Sequence, residues 1–139
     1  MITAKFKDQL EAASKLIEIL PKRELVDKKT IVVCMSLESV ILTDAVCRSL
    51  NLSYEMLFSE PIPAPNNSEC DVAIVSETED IVLNDKLIKA FNISYDYIYG
   101  EAHRKYEEKI LKNVYKYRKG NLIGELKGKN ILLIDEGCE

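Results

Sequence analysis

The last residues of this 139-residue chain carry its most concentrated chemistry. Four apolar residues, Ile131 to Ile134, run into the adjacent carboxylates of Asp135 and Glu136. Two neighbouring carboxylates at the end of a strand can accept hydrogen bonds from adjacent hydroxyls, such as those of a ribose, or hold a hydrated Mg²⁺. Gly137 follows them, and a glycine lets the backbone approach a ligand closely. The segment predicts a strand that opens into a ligand-binding loop, although solvated acids end many strands in the same way.

Strands that alternate with helices must position this segment. Apolar and β-branched runs predict strands at residues 30–35, 54–59, 71–76, 81–83 and 131–134. Apolar residues that recur every three or four positions predict helices at residues 3–20, 39–50, 84–91 and 95–118. Pro21 is expected to close the first helix, and a stripe on the last helix that includes Tyr99 and Tyr117 is expected to pack in the core. The proline-rich segment 60–69 predicts an extended connection with a turn.

The predicted strands are expected to form one parallel α/β sheet. They are almost wholly apolar, which is typical of strands that are covered on both faces. We predict Ile31–Cys34, Val72–Val75 and Ile131–Ile134 as buried strands of this sheet. In open parallel sheets, ligands bind beyond the carboxyl ends of the strands, which is where Asp135 and Glu136 would lie.

Composition narrows the class of protein and its partners. With 139 residues and 47% hydrophobic content, residues 1–139 are expected to form a single domain with its own core. The net charge of −4 and the scattered lysines argue against nucleic acid as a partner. The four cysteines form no CxxC pair, and the sequence has neither a signal peptide nor an apolar run of about 18 residues. These features predict a cytoplasmic protein that does not bind a membrane.

Beyond its local chemistry, the closing segment "KNILLIDEGCE" resembles the phosphoribosylpyrophosphate (PRPP) motif of type I phosphoribosyltransferases. In that motif an apolar strand runs into two acids and then a loop of small residues that ends in Thr-Gly. An uncharacterised bacterial branch of the family has segments similar, in the same order, to "FKDQLEAASKLIEIL", "IVVCMSLESVILTDAVCRSLNL", "PIPAPNNSECDVAIVSETEDIVLND" and "EAHRKYEEKILKNVYKYRKG". The resemblance covers nearly the whole chain. It implies a parallel sheet of that family's kind with flanking helices, truncated within the PRPP motif and incomplete at the C-terminus.

The resemblance also implies a reaction and a set of site residues. Members of the family transfer ribosyl 5-phosphate from PRPP to a nitrogenous base and release pyrophosphate with the support of Mg²⁺. By this resemblance Asp135 and Glu136 would contact the ribose hydroxyls and the metal, and Gly137 and Cys138 would belong to the substrate loop. Glu139 would stand where purine-type members hold a carboxylate that handles a proton of the base, and would be the candidate catalytic residue. The alternative for Glu139 is a frayed terminal residue.

The loop after the first strand departs from the family pattern. Related sequences commonly have Arg-Gly-Gly in this pyrophosphate loop, whereas this chain has Ser36, Leu37, Glu38 and Ser39. Glu60 belongs to a pair of positions at which related sequences have Arg-Lys. Carboxylates at these places would repel a polyanion. We therefore expect the chain to bind PRPP weakly or not at all and to transfer no ribosyl phosphate.

Three functions stay open at this stage. The first is a phosphoribosyltransferase, which the acid pair Asp135 and Glu136 favours. The second is a non-catalytic nucleotide-binding or assembly module, which Glu38 and Glu60 favour. The third is a small α/β response domain with an acidic pocket, which only the acids after the last strand suggest. The expected ligand is a small molecule, PRPP or a nucleotide. Self-association into a homo-oligomer is also expected, because the last strand lacks the elements that would normally cover it.

Overall fold

The computed structural model of the chain describes residues 6–137. These residues group into two compact units, one built from residues up to 57 and from 124 onward, and the other from residues 58–123. The helices are α1 (Gln9–Ile19), α2 (Lys22–Asp27), α3 (Val40–Leu50), α4 (Asp85–Ala90), α5 (Tyr95–Lys105) and α6 (Leu111–Arg118). The strands are β1 (Ile31–Cys34), β2 (Tyr54–Met56), β3 (Ser59–Ala64), β4 (Asn67–Ser76), β5 (Ile81–Leu83) and β6 (Ile131–Ile134). A 3₁₀ turn (Leu37–Ser39) precedes α3, and a π-helical segment (Tyr106–Ile110) joins α5 to α6.

The first unit contains a parallel sheet of three strands in the order β2-β1-β6. The central strand β1 is almost completely buried, as its β-branched and apolar sequence predicts. Cys34 at its end lies opposite Met56 of β2 and Ile134 of β6. The prediction that Ile31–Cys34 and Ile131–Ile134 are strands of a parallel sheet is therefore confirmed. Leu133 on the edge strand β6 is nevertheless exposed, so β6 is covered less completely than the prediction requires.

Helices α1 and α3 contribute to the core of the first unit. Ala13 of α1 and Val46 and Leu50 of α3 belong to one buried cluster with Val32 and Ile134 of the sheet. Asp8 caps α1 by accepting a hydrogen bond from the Glu11 N–H at 2.8 Å. Asn51 ends α3 in the left-handed conformation, which asparagine tolerates better than most residues.

The prediction for the first helix is wrong at its start and right at its end. The structure begins α1 at Gln9, whereas the pattern predicts a start at residue 3, and residues 1–5 lie outside the described part of the chain. The helix ends before Pro21 as predicted, but a second helix, α2, begins directly after this proline. Proline has no N–H to leave unsatisfied and its φ suits the start of a helix, so the residue that stops α1 also starts α2.

The sheet of the second unit is antiparallel, in the order β3-β4-β5, and the prediction of one parallel sheet is wrong here. Ala64 and Asn67 face each other across a two-residue connection, and only antiparallel strands can be joined by so short a link. The predicted strand 54–59 divides into β2 and β3, which belong to different units. The proline-rich segment is not a free connection, because residues 60–64 lie in β3. As an edge strand, β3 tolerates prolines.

The predicted strand Val72–Val75 lies within β4 and is only partly buried. Val72, Ala73 and Val75 are buried, whereas Ile74 is exposed and aligned with the exposed Val82 of β5. One face of this sheet is therefore open at that point. An antiparallel sheet can leave one face uncovered, which a parallel sheet between two helix layers cannot.

Helices α5 and α6 form one continuous helical stretch with the π-helical segment between them, so the long predicted helix is present. Its buried positions repeat every four residues and include Ile98, Ala102, Ile110 and Val114. Tyr99 and Tyr117 are exposed, so the prediction that they pack in the core is wrong. A four-residue spacing is wider than the 3.6-residue period of an α-helix, and the π turn keeps one face of the helix in contact with the sheet. Within residues 6–137, no helix is long and apolar enough to cross a bilayer.

The side chain of Cys47 is buried in α3. Burial, followed by the charges of Asp44 and Cys34, raises the pKa of the Cys47 thiol to about 11. Only about one Cys47 thiol in a thousand is then ionised at pH 8, and the thiolate is the reactive form. We expect iodoacetamide to label Cys47 much more slowly than the half-buried Cys70 in the folded protein, as measured by mass spectrometry of peptides. Equal rates in the folded protein would contradict this, and equal labelling in denaturant is the control.

Candidate functional site

The carboxyl ends of β1 and β6 meet at one edge of the parallel sheet. Their register is aligned to the last residue, and the Met35 N–H donates to the Ile134 carbonyl at 3.0 Å. The loop that follows β1 and the acids that follow β6 therefore start side by side. This is the edge at which the sequence predicts a ligand.

A hydrogen bond joins the two strand ends. The Ser36 hydroxyl donates to Asp135 Oδ1 at 3.0 Å, across 99 residues of sequence. The Glu136 N–H donates to the same oxygen at 2.9 Å. Among residues 6–137, Asp135 Oδ2 and the Glu136 carboxylate have no hydrogen-bond or ion-pair partner. One oxygen of the exposed Asp135 is thus held in place, and the other is left to accept from a ligand.

The loop between β1 and α3 is held by its own polar side chains. Ser39 is fully buried, and its hydroxyl lies 2.9 Å from the Ser36 hydroxyl and 3.0 Å from the Ser36 carbonyl. The Thr43 hydroxyl donates to the Ser39 carbonyl at 2.9 Å, and the Cys34 thiol lies 3.3 Å from the Ser39 hydroxyl. Ser39 is therefore a structural residue of the turn. Ser36 is the predicted loop residue that reaches the acids.

Gln9 of α1 fixes the 3₁₀ turn, a role that the sequence did not reveal. Its amide nitrogen donates to the Glu38 carbonyl at 2.6 Å, and its amide oxygen accepts from the Leu42 N–H at 3.0 Å. The side chains of Leu37 and Glu38 are left exposed on this turn. Glu38 thus places a negative charge in the loop where the resemblance implies a pyrophosphate. No cation is within ion-pair distance of this carboxylate in the described chain.

The other predicted site residues lie away from this sheet edge, follow the acids directly, or lie outside residues 6–137. Glu60 lies in β3 opposite Val75, in a strand of the second unit rather than in a loop. Gly137 is exposed directly after the acids. Cys138 and Glu139 lie outside the described residues, so their predicted roles remain predictions.

A buried carboxylate, Glu77, is the polar residue that the sequence reasoning missed. Its side chain is fully buried in the second unit and accepts from the Phe58 N–H at 3.1 Å, from the Ile123 N–H at 3.1 Å and from the guanidinium of Arg118. Phe58 and Ile123 are the first and last residues of this unit, so Glu77 ties its two ends together. The sequence signal for Glu77 is an acid directly after an apolar strand, which is the same pattern that predicts Asp135 as a site residue.

Comparisons with known proteins support the fold but name no activity. No protein-family model matches the sequence, and no curated protein does. The crystal structure of TT1426 from Thermus thermophilus is similar, with a TM-score of 0.74 and 24% sequence identity. The similarity covers 94% of this chain and 60% of TT1426, so this chain spans less than two thirds of that protein's length. At this identity the similarity shows a shared fold and nothing about function.

Proposed function

We propose that this chain is a phosphoribosyltransferase-like protein whose site binds the ribose of a phosphorylated ligand, PRPP or a nucleotide. The observation that carries the proposal is the hydrogen bond between Ser36 and Asp135, which joins the loop after β1 to the acid pair after β6. The two loops lie at one edge of a parallel sheet, and this arrangement supports the type I phosphoribosyltransferase-like fold that the closing segment implies. The reaction class that the resemblance implies is transfer of ribosyl 5-phosphate between PRPP and a nitrogenous base, and we expect the 139-residue chain to bind the sugar phosphate without completing this transfer.

The geometry of the acid pair suits adjacent hydroxyl groups. Asp135 Oδ1 already accepts two hydrogen bonds, which orients the carboxylate and leaves Oδ2 for one ribose hydroxyl. The Glu136 carboxylate is exposed beside it and can accept from the neighbouring hydroxyl. A carboxylate held in advance loses less conformational entropy when a ligand binds. Ser36 is therefore a positioning residue for Asp135 in this proposal.

The same two carboxylates fit a hydrated Mg²⁺. Mg²⁺ usually keeps several waters and is held by one or two carboxylates together with substrate phosphates. Asp135 and Glu136 offer such oxygens, and the described residues contain no cluster of three or more protein ligands that would form a closed cage. When bound, the ion would supply positive charge to offset that of a pyrophosphate. Asp135 and Glu136 would hold it from the protein side.

A second candidate function is a non-catalytic nucleotide-binding module, which the exposed Glu38 favours. Each like-charge contact in a partly dry pocket costs on the order of 1 kcal/mol, and a micromolar dissociation constant corresponds to about 8 kcal/mol. Glu38 therefore weakens the binding of a pyrophosphate more than that of a single phosphate. Under this candidate the chain binds a ribose phosphate but transfers nothing.

The assembly role proposed with this second candidate involves the last strand. β6 is an edge strand of its sheet, and Leu133 on it is exposed. An apolar edge strand can pair with another chain. Self-association remains a prediction, which light scattering at high protein concentration would test.

Calorimetry with ribose 5-phosphate and with PRPP, each with and without Mg²⁺, tests the proposal. We expect ribose 5-phosphate to bind with a dissociation constant of about a millimolar in the presence of Mg²⁺, since few groups contact it. Asp135→Asn should abolish this binding, and Ser36→Ala should weaken it. Glu38→Gln should strengthen PRPP binding about fivefold, because it removes one like-charge contact worth about 1 kcal/mol. Chromatography of mixtures with purine and pyrimidine bases should show no nucleotide product.

The control is Asp27→Asn, which removes an exposed carboxylate of the same unit outside both loops. It should leave all binding unchanged. Binding that is insensitive to Asp135→Asn, or no binding of either sugar phosphate, would refute the proposed site. Micromolar binding of PRPP with formation of a nucleotide would instead establish the transferase and refute the non-catalytic candidate.

A further inference from the structure

The second unit contains a small cavity that is separate from the acid pair. Its volume is about 110 Å³. Its walls combine aromatic rings, aliphatic side chains and one carboxylate, contributed by Tyr99, Tyr106, His103, Val75, Ile81 and Glu79. A cavity of about 10–15 Å³ in this measure already holds one water molecule, so this cavity has room for several non-hydrogen atoms. A short aliphatic chain fits this space.

The aromatic walls favour a cation over an anion. Tyr99 stacks on Tyr95 with ring centroids 6.4 Å apart, so its orientation is supported from outside the cavity. Tyr106 begins the π-helical segment, and π turns often occur at functional sites because they redirect side chains. The faces of tyrosine rings carry negative electrostatic potential and attract ammonium groups.

Glu79 supplies a full negative charge at the same cavity. No Lys, Arg or His of residues 6–137 lies within ion-pair distance of its carboxylate. Glu79 lines the cavity together with Tyr106, and burial, followed by the charge of Glu79, raises the pKa of the Tyr106 hydroxyl. His103, the basic side chain of the lining, is already paired with Glu107 at 3.2 Å. The carboxylate of Glu79 is therefore available to a positive group of a ligand.

From this lining we propose that the cavity binds the end of a primary alkylammonium chain, with the ammonium group at Glu79 and the methylene groups against Tyr99 and Tyr106. The apolar walls contributed by Val75 and Ile81 contact the methylene groups. Either a small free amine or the side chain of a lysine offers this chemistry. The site uses none of the groups at the strand ends of β1 and β6.

Chemical-shift titration of the ¹⁵N-labelled chain with n-butylammonium tests this inference. We expect saturable shifts around Glu79 and Tyr106 with a dissociation constant of about a millimolar, as befits a ligand of so few atoms. Butan-1-ol and butyrate, which share the chain but not the charge, should bind at least about tenfold more weakly. A capped Gly-Lys-Gly peptide forms the second arm. Its binding would identify a lysine side chain as a source, and its failure would restrict the site to free amines.

Three variants separate the roles of charge and ring. Glu79→Gln should weaken n-butylammonium about tenfold, and Tyr106→Leu should do the same, whereas Tyr106→Phe keeps the ring and should bind normally. Glu69→Gln is the matched control, because it removes one exposed charge near the other end of β4. At ~3.3 Å per residue of strand, Glu69 lies about 20 Å from Val75, which lines the cavity. Thermal unfolding of every variant checks its fold. No saturable binding, equal binding of butan-1-ol, or equal effects of Glu79→Gln and Glu69→Gln would overturn the inference.

Discussion

Replacing Glu77 with alanine is expected to lower the free energy of unfolding by about 3–5 kcal/mol, because it removes one partner of a buried ion pair. The lost carboxylate accepts from two backbone N–H groups, those of Phe58 and Ile123, as well as from Arg118. Alanine leaves the buried Phe58 N–H and the partly buried donors of Ile123 and Arg118 without their acceptor. The guanidinium of Arg118 lies 4.9 Å from the centroid of the Phe58 ring and would lose its carboxylate partner.

Urea denaturation followed by far-ultraviolet circular dichroism measures this loss. Glu77→Gln keeps one acceptor oxygen and should cost less than Glu77→Ala. The matched control is Glu79→Ala, two residues away and exposed, which should stay within about 0.5 kcal/mol of the unchanged protein. Replacing both partners, as in Glu77→Leu with Arg118→Met, should cost less than the sum of the two single changes. A loss for Glu77→Ala no larger than that for Glu79→Ala would contradict the assigned role.

Leu50→Ala is expected to lower the free energy of unfolding by about 2–5 kcal/mol, the range for a large apolar residue truncated in a core. Leu50 is 1% exposed at the end of α3 and belongs to the buried cluster that includes Val32 and Ile134. Its truncation leaves a cavity beside the parallel sheet that carries the acid pair. The cost therefore falls on the unit that holds the proposed ribose site.

Ile41→Ala on the same helix is the control for Leu50. Ile41 is 59% exposed, so its truncation should change the stability by no more than about 0.5 kcal/mol. Hydrogen exchange adds a local readout, because amides of β1 and β6 should lose protection in Leu50→Ala and keep it in Ile41→Ala. Equal losses for the two variants would show that this cluster is not the core of the unit.

Local sequence pattern was sufficient for β1, β6 and α3 of the first unit, but not for the start of α1 or for α2. The continuous apolar runs of β1 and β6 predicted buried strands of a parallel sheet; the parallel sheet is confirmed, whereas β6 is only partly buried. Helix α3 was predicted to within a residue, because its apolar face has a clear period. The meeting of the Ser36 loop with Asp135 also requires β1 and β6 to be neighbours, which the strand order shows and the sequence pattern did not predict.

Tertiary structure decided the direction of β4 and the role of Glu77. An apolar run such as Val72–Val75 has the same composition in parallel and antiparallel sheets, and its direction is seen only in the pairing of β4 with β3 and β5. The fully buried Glu77 is one of many acids in the sequence, and its burial depends on donors 19, 41 and 46 residues away. Periodicity reports which face of an element is apolar. It does not report which distant N–H groups a carboxylate will meet, because those contacts form only when the chain closes on itself.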